Sequence, residues 1–340
     1  MTHKKILVLG ATGHLGAYSS VYLNECGYDV VAIGHRNSDN GFFKTKDIEY
    51  IGGFDLSDKE TFKKLPTDID AVVHLAGTMP AHADASPMPY INSIVVGMVN
   101  LCEWLKTTKC HRVIFNTTPS DVCQFFGTDK PVKDDALRSF PKDGGDHAIY
   151  AIAKNAAVDI LEHYKHLCGI SSCIFRHLTV YGYQPNPYYH INGVKKMLPW
   201  RIIQYKAEQN QPVEIWGDPS RKKELLYIKD FTNAVKCALE TGVEGIFNLS
   251  GDRPYTLEEQ IDGIIETFNS SKYKSEKIYM PEKPNTPQNL LDSTKAKEIM
   301  SWIPKYDWKS ACIDMKKEKQ IEPFSLLWGK SEEFKLIIYE

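Results

Sequence analysis

Tyr150 and Lys154 stand four residues apart in Tyr150-Ala-Ile-Ala-Lys154, inside an alanine-rich stretch with helical character. At that spacing two side chains lie one turn apart on the same helix face. A phenol with a reference pKa near ~10 is a poor base at neutral pH. An ammonium beside it favours the phenolate and so permits proton exchange with a substrate hydroxyl. The spacing alone proves little, because it recurs at Tyr273/Lys277 and Tyr279/Lys283, where no catalytic helix is expected. A surface pair is the competing reading. A further hydroxyl is expected upstream, where the apolar run Arg112-Val-Ile-Phe ends in Asn116-Thr117-Thr118-Pro119-Ser120-Asp121. Thr118 is the first candidate to hold a reacting hydroxyl or carbonyl, with Thr117 and Ser120 behind it. The alternative is that they only form the turn that follows the run.

The elements that must position these residues begin at the N-terminus. Lys4-Lys-Ile-Leu-Val-Leu reads as a strand, Gly10-Ala-Thr-Gly13-His-Leu-Gly16 follows with glycines at three-residue spacing, and Ala17 to Cys26 has helical periodicity up to a stop at Gly27. Glycines so placed permit a tight turn, close backbone approach to a pyrophosphate and close packing of helix on strand, and the helix N-terminus then meets the phosphate charge. Gly10, Thr12, Gly13, His14, Leu15 and Gly16 are therefore the expected contacts of a dinucleotide. After the second strand, Tyr28-Asp-Val-Val-Ala-Ile, the position for a ribose-binding carboxylate holds Gly34, followed by His35 and Arg36. A carboxylate there would pair with a 2′-hydroxyl, whereas Arg36 can grip a 2′-phosphate. The reading favours NADP over NAD; a solvated or adenine-stacked Arg36 would leave NAD open.

Short apolar runs at Ile6 to Leu9, Val30 to Ile33, Ala71 to Leu75, Val113 to Phe115 and Ser172 to Phe175 alternate with helix-length segments. That rhythm predicts an α/β chain: a Rossmann-type doubly wound parallel sheet with a smaller C-terminal α/β substrate domain. From about Tyr181 the texture turns to proline, aromatic and polar residues, which places the nicotinamide-binding domain at 1–180 and the substrate-binding domain at 181–340. Leu225-Leu-Tyr-Ile and Gly245-Ile-Phe-Asn-Leu look like strands that return near 225–250. The tail after Met315 reads as a surface helix followed by a short strand or arm. Lys+Arg 41 against Asp+Glu 43, a net charge of −2, points to a small-molecule substrate, with no nucleic acid and no membrane as partner. The eight scattered cysteines form no CxxC pair and no metal-ligand cluster; they read as reduced thiols of a cytoplasmic protein with no metal.

Together these residues resemble the extended short-chain dehydrogenase/reductase family, in its NAD(P)-dependent nucleotide-sugar epimerase/dehydratase branch, over roughly residues 4 to 312. The matching signposts are the glycine turn, Asp55-Leu56, His74-Leu-Ala-Gly77, Asn92, Thr117-Thr118, Tyr150/Lys154, Arg176-His-Leu-Thr-Val-Tyr-Gly182, Leu226-Tyr-Ile-Lys-Asp230 and Asp292-Ser-Thr-Lys-Ala296. The resemblance implies that Asp55 and Leu56 meet the adenine, that Leu75, Ala76, Gly77 and Asn92 line the cofactor, and that Lys154 also bonds the nicotinamide ribose. It implies a homodimer built from two packed helices per subunit, and a sugar nucleotide as substrate, with Thr117, Thr118, Thr179 and Lys223 on the substrate side.

Departures from the branch narrow the chemistry. Lys223 stands where relatives often place an arginine that holds a nucleotide diphosphate, and Glu282-Lys283 stand near a second such position; lysine keeps charge but loses the bidentate fork. Thr179 replaces a frequent asparagine, and Cys123 a usual tyrosine. The Asp-Glu pair of the 4,6-dehydratases aligns with Ser120-Asp121, so full dehydration is not expected. Pro119 after Thr118 removes the cysteine of the synthase type. The expected function is an NAD(P)-dependent epimerase or keto-reductase of a nucleotide sugar with Tyr150 as acid/base. An NADPH-dependent reductase of a ketone or aldehyde without a nucleotide is the second reading, and a non-catalytic sensor of NADP redox state the third.

Overall fold

In a computed structural model, which describes residues 4–80, 86–141, 145–191 and 194–334, seven strands form one parallel sheet. They are β1 Lys5–Leu9, β2 Asp29–Ile33, β3 Glu49–Ile51, β4 Ala71–His74, β5 Arg112–Asn116, β6 Ser171–His177 and β7 Gly245–Leu249. Their order across the sheet is β7-β6-β5-β4-β1-β2-β3. The order reverses between β1 and β4, where Leu9 sits opposite His74; in sheets of this kind a ligand crevice lies beyond the carboxyl ends at that point. Both faces of β1 are covered: Ile6 and Val8 enter one core while Leu7 and Leu9 enter the other. A strand covered on both sides reads as an unbroken apolar run, which is why its sequence shows no alternation. Each such fully buried side chain contributes roughly 1.5–3 kcal/mol.

One face carries helix α1, His14–Glu25, beside the later helix Ile228–Thr241. The other carries α2, Gly97–Leu105, and α3, Asp146–Cys168, whose Ala153, Ala157 and Leu161 are fully buried against the sheet. Alanines at this spacing let α3 lie close, and Gly169 ends it in a left-handed turn at φ +77°.

Of the two later segments expected to return, Gly245–Leu249 pairs with β6 along its whole length. The other joins a different ribbon: Leu226–Tyr227 pairs in parallel with Val180–Tyr181, because the chain turns directly into Ile228–Thr241. Around these lie helices Pro199–Glu208, Leu257–Phe268 and Trp308–Ile321 and a parallel pair, Val213–Trp216 with Lys277–Met280. The tail after Met315, expected as a surface helix and then a short strand or arm, has a partly buried helix, and its last residues, 335–340, lie outside the described residues. Trp308–Ile321 buries Cys312, Met315 and Glu318, and the chain then folds back through Ser325–Trp328 onto the N-terminal half, driven by the apolar Phe324, Leu327 and Trp328. Among the described residues no helix is long and apolar enough to cross a membrane.

Candidate active site

At the end of β1 the chain makes its tightest turn. Gly10 has φ +83°, and a Cβ there would lie 2.9 Å from the backbone of Leu75 and Ala76 at the end of β4. A Cβ on Gly16 would lie 2.1 Å from the Gly10 carbonyl oxygen, so α1 can pack on the turn only with glycine in its first turn. Gly13, by contrast, has its nearest obstacle at 3.3 Å and forms the N-cap of α1 with no side-chain cap. Uncapped N–H groups beside open space suit a phosphate. The turn therefore fits the pyrophosphate of a dinucleotide.

The rest of the cradle is more specialised. A Cβ at Gly34 would press on two side chains, the Tyr50 hydroxyl at 2.5 Å and Thr12 Cγ2 at 2.9 Å, so a larger residue there would require both to shift. Tyr50 donates to the Arg36 carbonyl at 2.6 Å. Arg36 is exposed, and its Nη1 donates to the Leu327 carbonyl at 2.9 Å. The His14 ring packs edge-on to Tyr18 at 5.4 Å, and burial holds it neutral, with a pKa of about 4. Leu15 packs against the adjoining core. Asp55 Oδ1 accepts from the Ser57 N–H and hydroxyl, both at 2.8 Å, and the carbonyl of buried Leu56 accepts from Asn100 at 2.9 Å. Leu75 N–H bonds the Leu9 carbonyl at 3.0 Å, which carries Leu75, Ala76 and Gly77 along the crevice edge. Asn92 sits exposed in a π-helical turn, Ile91–Val96, whose Ile94 lies against Gly77 and whose Ser93 hydroxyl accepts from the Thr78 N–H at 3.0 Å.

α3 brings Tyr150 and Lys154 together as their spacing requires. Tyr150 is 5% exposed, its ring edge-on to Tyr90, and its hydroxyl touches Met79 Sδ at 3.7 Å. Burial raises its pKa well above the phenol range. Lys154 is 2% exposed, with Nζ 4.4 Å from the Phe115 ring centroid and 5.8 Å from that of Tyr150. Burial alone pulls its pKa down to about 7. Two imidazoles stand within reach of its charge. His74, at the end of β4, has both ring nitrogens enclosed without a hydrogen-bond partner, and burial, then Lys154, hold its pKa near 3. His177, at the end of β6, has Nδ1 2.8 Å from the Leu178 carbonyl. A carbonyl can only accept, so Nδ1 carries the proton and Nε2 is left as an enclosed acceptor with no partner. Burial, more than Lys154, lowers its pKa to about 4.

β5 ends between them. Asn116 Oδ1 and Thr117 Oγ1 are also enclosed and unpartnered. Thr118 caps the 3₁₀ turn Pro119–Phe125, its Oγ1 accepting from Ser120 N–H at 3.2 Å. A buried polar group without a partner costs about 1–3 kcal/mol, and four residues at three adjacent strand ends carry such groups, a cost that an enclosed water or a ligand would relieve.

Thr179 is exposed, and Lys223, half-buried, reaches the Tyr181 hydroxyl at 3.4 Å. Asp121 is fully buried in a bidentate pair with Arg176, both bonds at 3.0 Å, and cannot serve as the free acid of a dehydration. The two repeats of the Tyr/Lys spacing fall outside helices: Lys277 and Tyr279 lie on the strand Lys277–Met280 and pair with Glu258. Sequence reasoning missed the role of the imidazoles and of Trp328, whose indole donates to the Thr12 carbonyl at 2.9 Å. His74 stood in the matching motif, but a histidine next to a strand end gave no sign of losing its partners; nothing local to Trp328 pointed to a turn at the other end of the chain.

Known proteins resemble this chain along most of its length. A UDP-glucuronate 4-epimerase of Thermodesulfobacterium geofontis is 26% identical over 310 residues, covering 88% of this chain and 90% of its own. The UDP-glucose 4-epimerase structure of Thermotoga maritima superposes with a TM-score of 0.74 at 22% identity, covering 94% and 99%. The UDP-glucuronic acid 4-epimerase of Bacillus cereus, solved in complex with NAD, does so at 0.70 and 22%, covering 92% and 97%. The model of the NAD dependent epimerase/dehydratase family matches residues 6–250, and the chain is an enzyme of that family.

Proposed function

We propose that this enzyme inverts the C4 hydroxyl of a nucleotide-linked sugar, with Tyr150 as the acid/base. The observation that carries the reading is the placement of Tyr150 and Lys154 near strand ends where His74, Asn116 Oδ1, Thr117 Oγ1 and His177 Nε2 have no partner, while Asp121 is locked to Arg176. The names of the relatives support C4 as the site of inversion. Gly10 to Gly16 and Leu75 to Gly77 would hold the dinucleotide, which would supply reversible hydride exchange with the sugar carbon. The Tyr150 hydroxyl, raised by burial, becomes a useful base only when Lys154 is charged and close, so Lys154 sets its protonation and bonds the ribose. Thr118 steadies the reacting oxygen. Tyr150 takes the hydroxyl proton on oxidation and gives it back on the opposite outcome.

The cofactor is NAD or NADP. NAD in a structural neighbour supports the first, and Gly34 with Arg36 in place of a carboxylate supports the second. The region beyond 181, apart from β7 and the helix before it, would form the sugar side, with Lys223 and Thr179 at its edge. Exposed Val96, Val99 and Ile152, near or on α2 and α3, support a homodimer through those helices. The test is to identify the nucleotide released on denaturation, then follow UDP-sugars by NMR. Interconversion of C4 epimers with no net change in reduced cofactor is the expected result. Stoichiometric NADPH loss with a ketone, and no binding of UDP-, GDP- or CDP-sugars, would establish the reductase that Arg36 and Lys223 favour.

A further inference from the structure

The C-terminal segment reaches the cofactor turn from the far end of the chain. The Trp328 indole donates to the Thr12 carbonyl across 316 residues of sequence. The Leu327 carbonyl accepts from Arg36 at 2.9 Å, and the Leu326 carbonyl from the Asn40 side chain at 3.0 Å. Beneath these polar contacts an aromatic stack joins the same parts: Trp328 on Phe324 at 4.5 Å, Phe324 on Tyr18 of α1 at 4.5 Å and on Phe42 at 5.3 Å. Helix Trp308–Ile321 is itself anchored, since Glu318 accepts from Tyr18 at 2.6 Å and pairs with Lys229 at 3.0 Å.

These contacts fall on the turn before α1, on α1 and on the segment after β2. Those three pieces surround the adenosine half of a dinucleotide in a sheet of this order. The Thr12 carbonyl belongs to the peptide whose N–H, on Gly13, closes on Gly10 at 2.9 Å. Fixing that peptide plane fixes the turn that leads into the first N–H groups of α1, the ones left for the pyrophosphate. Holding Arg36 removes rotamer freedom that binding would otherwise have to remove.

We propose that Phe324–Trp328 is a strap on the cofactor cradle, with Trp328 as a positioning residue that pre-forms the glycine turn and so sets how tightly the dinucleotide is held. Coupling of this kind is reciprocal: a strap that favours the bound cradle is itself stabilised when the dinucleotide binds. The inference rests on the family reading that the turn binds NAD or NADP.

The experiment compares wild type, Trp328→Phe and Asn40→Gly, all full length, by titration calorimetry with NAD and NADP on cofactor-stripped protein and by hydrogen exchange with and without the dinucleotide. Trp328→Phe keeps the stack and deletes one donor; Asn40→Gly tolerates the φ of +56° and removes the Asn40 donor, so it serves if the first variant folds poorly. Expected are a roughly tenfold weaker dissociation constant for Trp328→Phe and about threefold for Asn40→Gly, with amides of residues 324–329 protected by the dinucleotide in wild type and less so in the variants. A merely structural strap would lower the melting temperature and leave the dissociation constant within twofold, and that result overturns the proposal. So does strap exchange that ignores the dinucleotide. Wild type that binds neither dinucleotide would instead remove the reading on which the strap rests.

Discussion

At the glycine turn the restraints are backbone and distant side chains: Gly10 against Leu75 and Ala76, Gly16 against Gly10, and Trp328 on Thr12. At the ends of β4, β5 and β6 the opposite holds, and His74, Asn116, Thr117 and His177 present polar atoms that nothing in the protein satisfies. Both regions border one crevice. The turn makes room for its ligand by excluding side chains, and its energy is already committed in the free protein. The strand ends offer chemistry at a cost that an enclosed water or a bound partner would relieve. Shape is therefore built in at one end of the crevice, and reactivity is held in reserve at the other.

The sharpest break between the two is Tyr150→Phe. Loss of the acid/base should lower turnover by about 10²–10⁴, while the dinucleotide still binds at the turn with its wild-type dissociation constant. Equal loss of both would mean that Tyr150 supports the cradle as well. Gly16→Ala tests the other region. Its methyl would fall 2.1 Å from a carbonyl oxygen that cannot move without disturbing β1, so dinucleotide affinity should drop by about a hundredfold or the fold should be lost. Gly13→Ala, with 3.3 Å of clearance, should cost far less in thermal stability. If the two alanine variants melted alike, the turn would be looser than its contacts indicate.

How far each region is legible in sequence follows from the same contrast. The turn is written in consecutive residues, since Gly10, Gly13 and Gly16 follow a strand and open a helix, and period and spacing suffice to read it. The Tyr150/Lys154 pair is readable for the same reason, as helix geometry fixes what lies one turn apart. The strand ends are not readable in this way. That His177 is an acceptor depends on the direction of the Leu178 carbonyl, and that Asp121 is unavailable depends on Arg176, 55 residues on. The π-helical turn that carries Asn92 is likewise not written in local spacing. Trp328 and Leu226–Tyr227 found partners set by tertiary packing and not by local pattern.

Lys154 sharpens the comparison through pH. Its pKa falls from 10.5 to about 7 on folding because burial disfavours the charged form. Below about pH 7 both folded and unfolded states are protonated, and the folded protein carries the full cost of a buried charge. As pH rises from there toward 10.5 the unfolded chain binds more protons, so stability rises and the cost disappears. Cofactor-free Lys154→Met should accordingly melt several degrees above wild type near ~pH 6 and at the same temperature near ~pH 10. A constant gap across that range would assign the effect to packing.

The smallest effect expected is also the most direct reading of the strand ends. His74 is fully buried with two enclosed nitrogens, and its ring lies 5.3 Å from Phe115. Ordinarily, replacing a planar core ring by a branched side chain of similar volume but different shape costs packing. Here the apolar replacement also removes an unsatisfied polar group, worth about 1–3 kcal/mol in the other direction. His74→Leu should therefore leave the cofactor-free protein as stable as wild type or more stable by about 1 kcal/mol. With dinucleotide and sugar nucleotide both saturating, the sign should reverse, because wild-type His74 then gains the partner that leucine cannot accept. Denaturant melts in the two conditions separate the cases. A His74→Leu protein destabilised equally in both would mean that the imidazole is ordinary core filling, and the reserve of reactivity at the strand ends would shrink to β5 and β6.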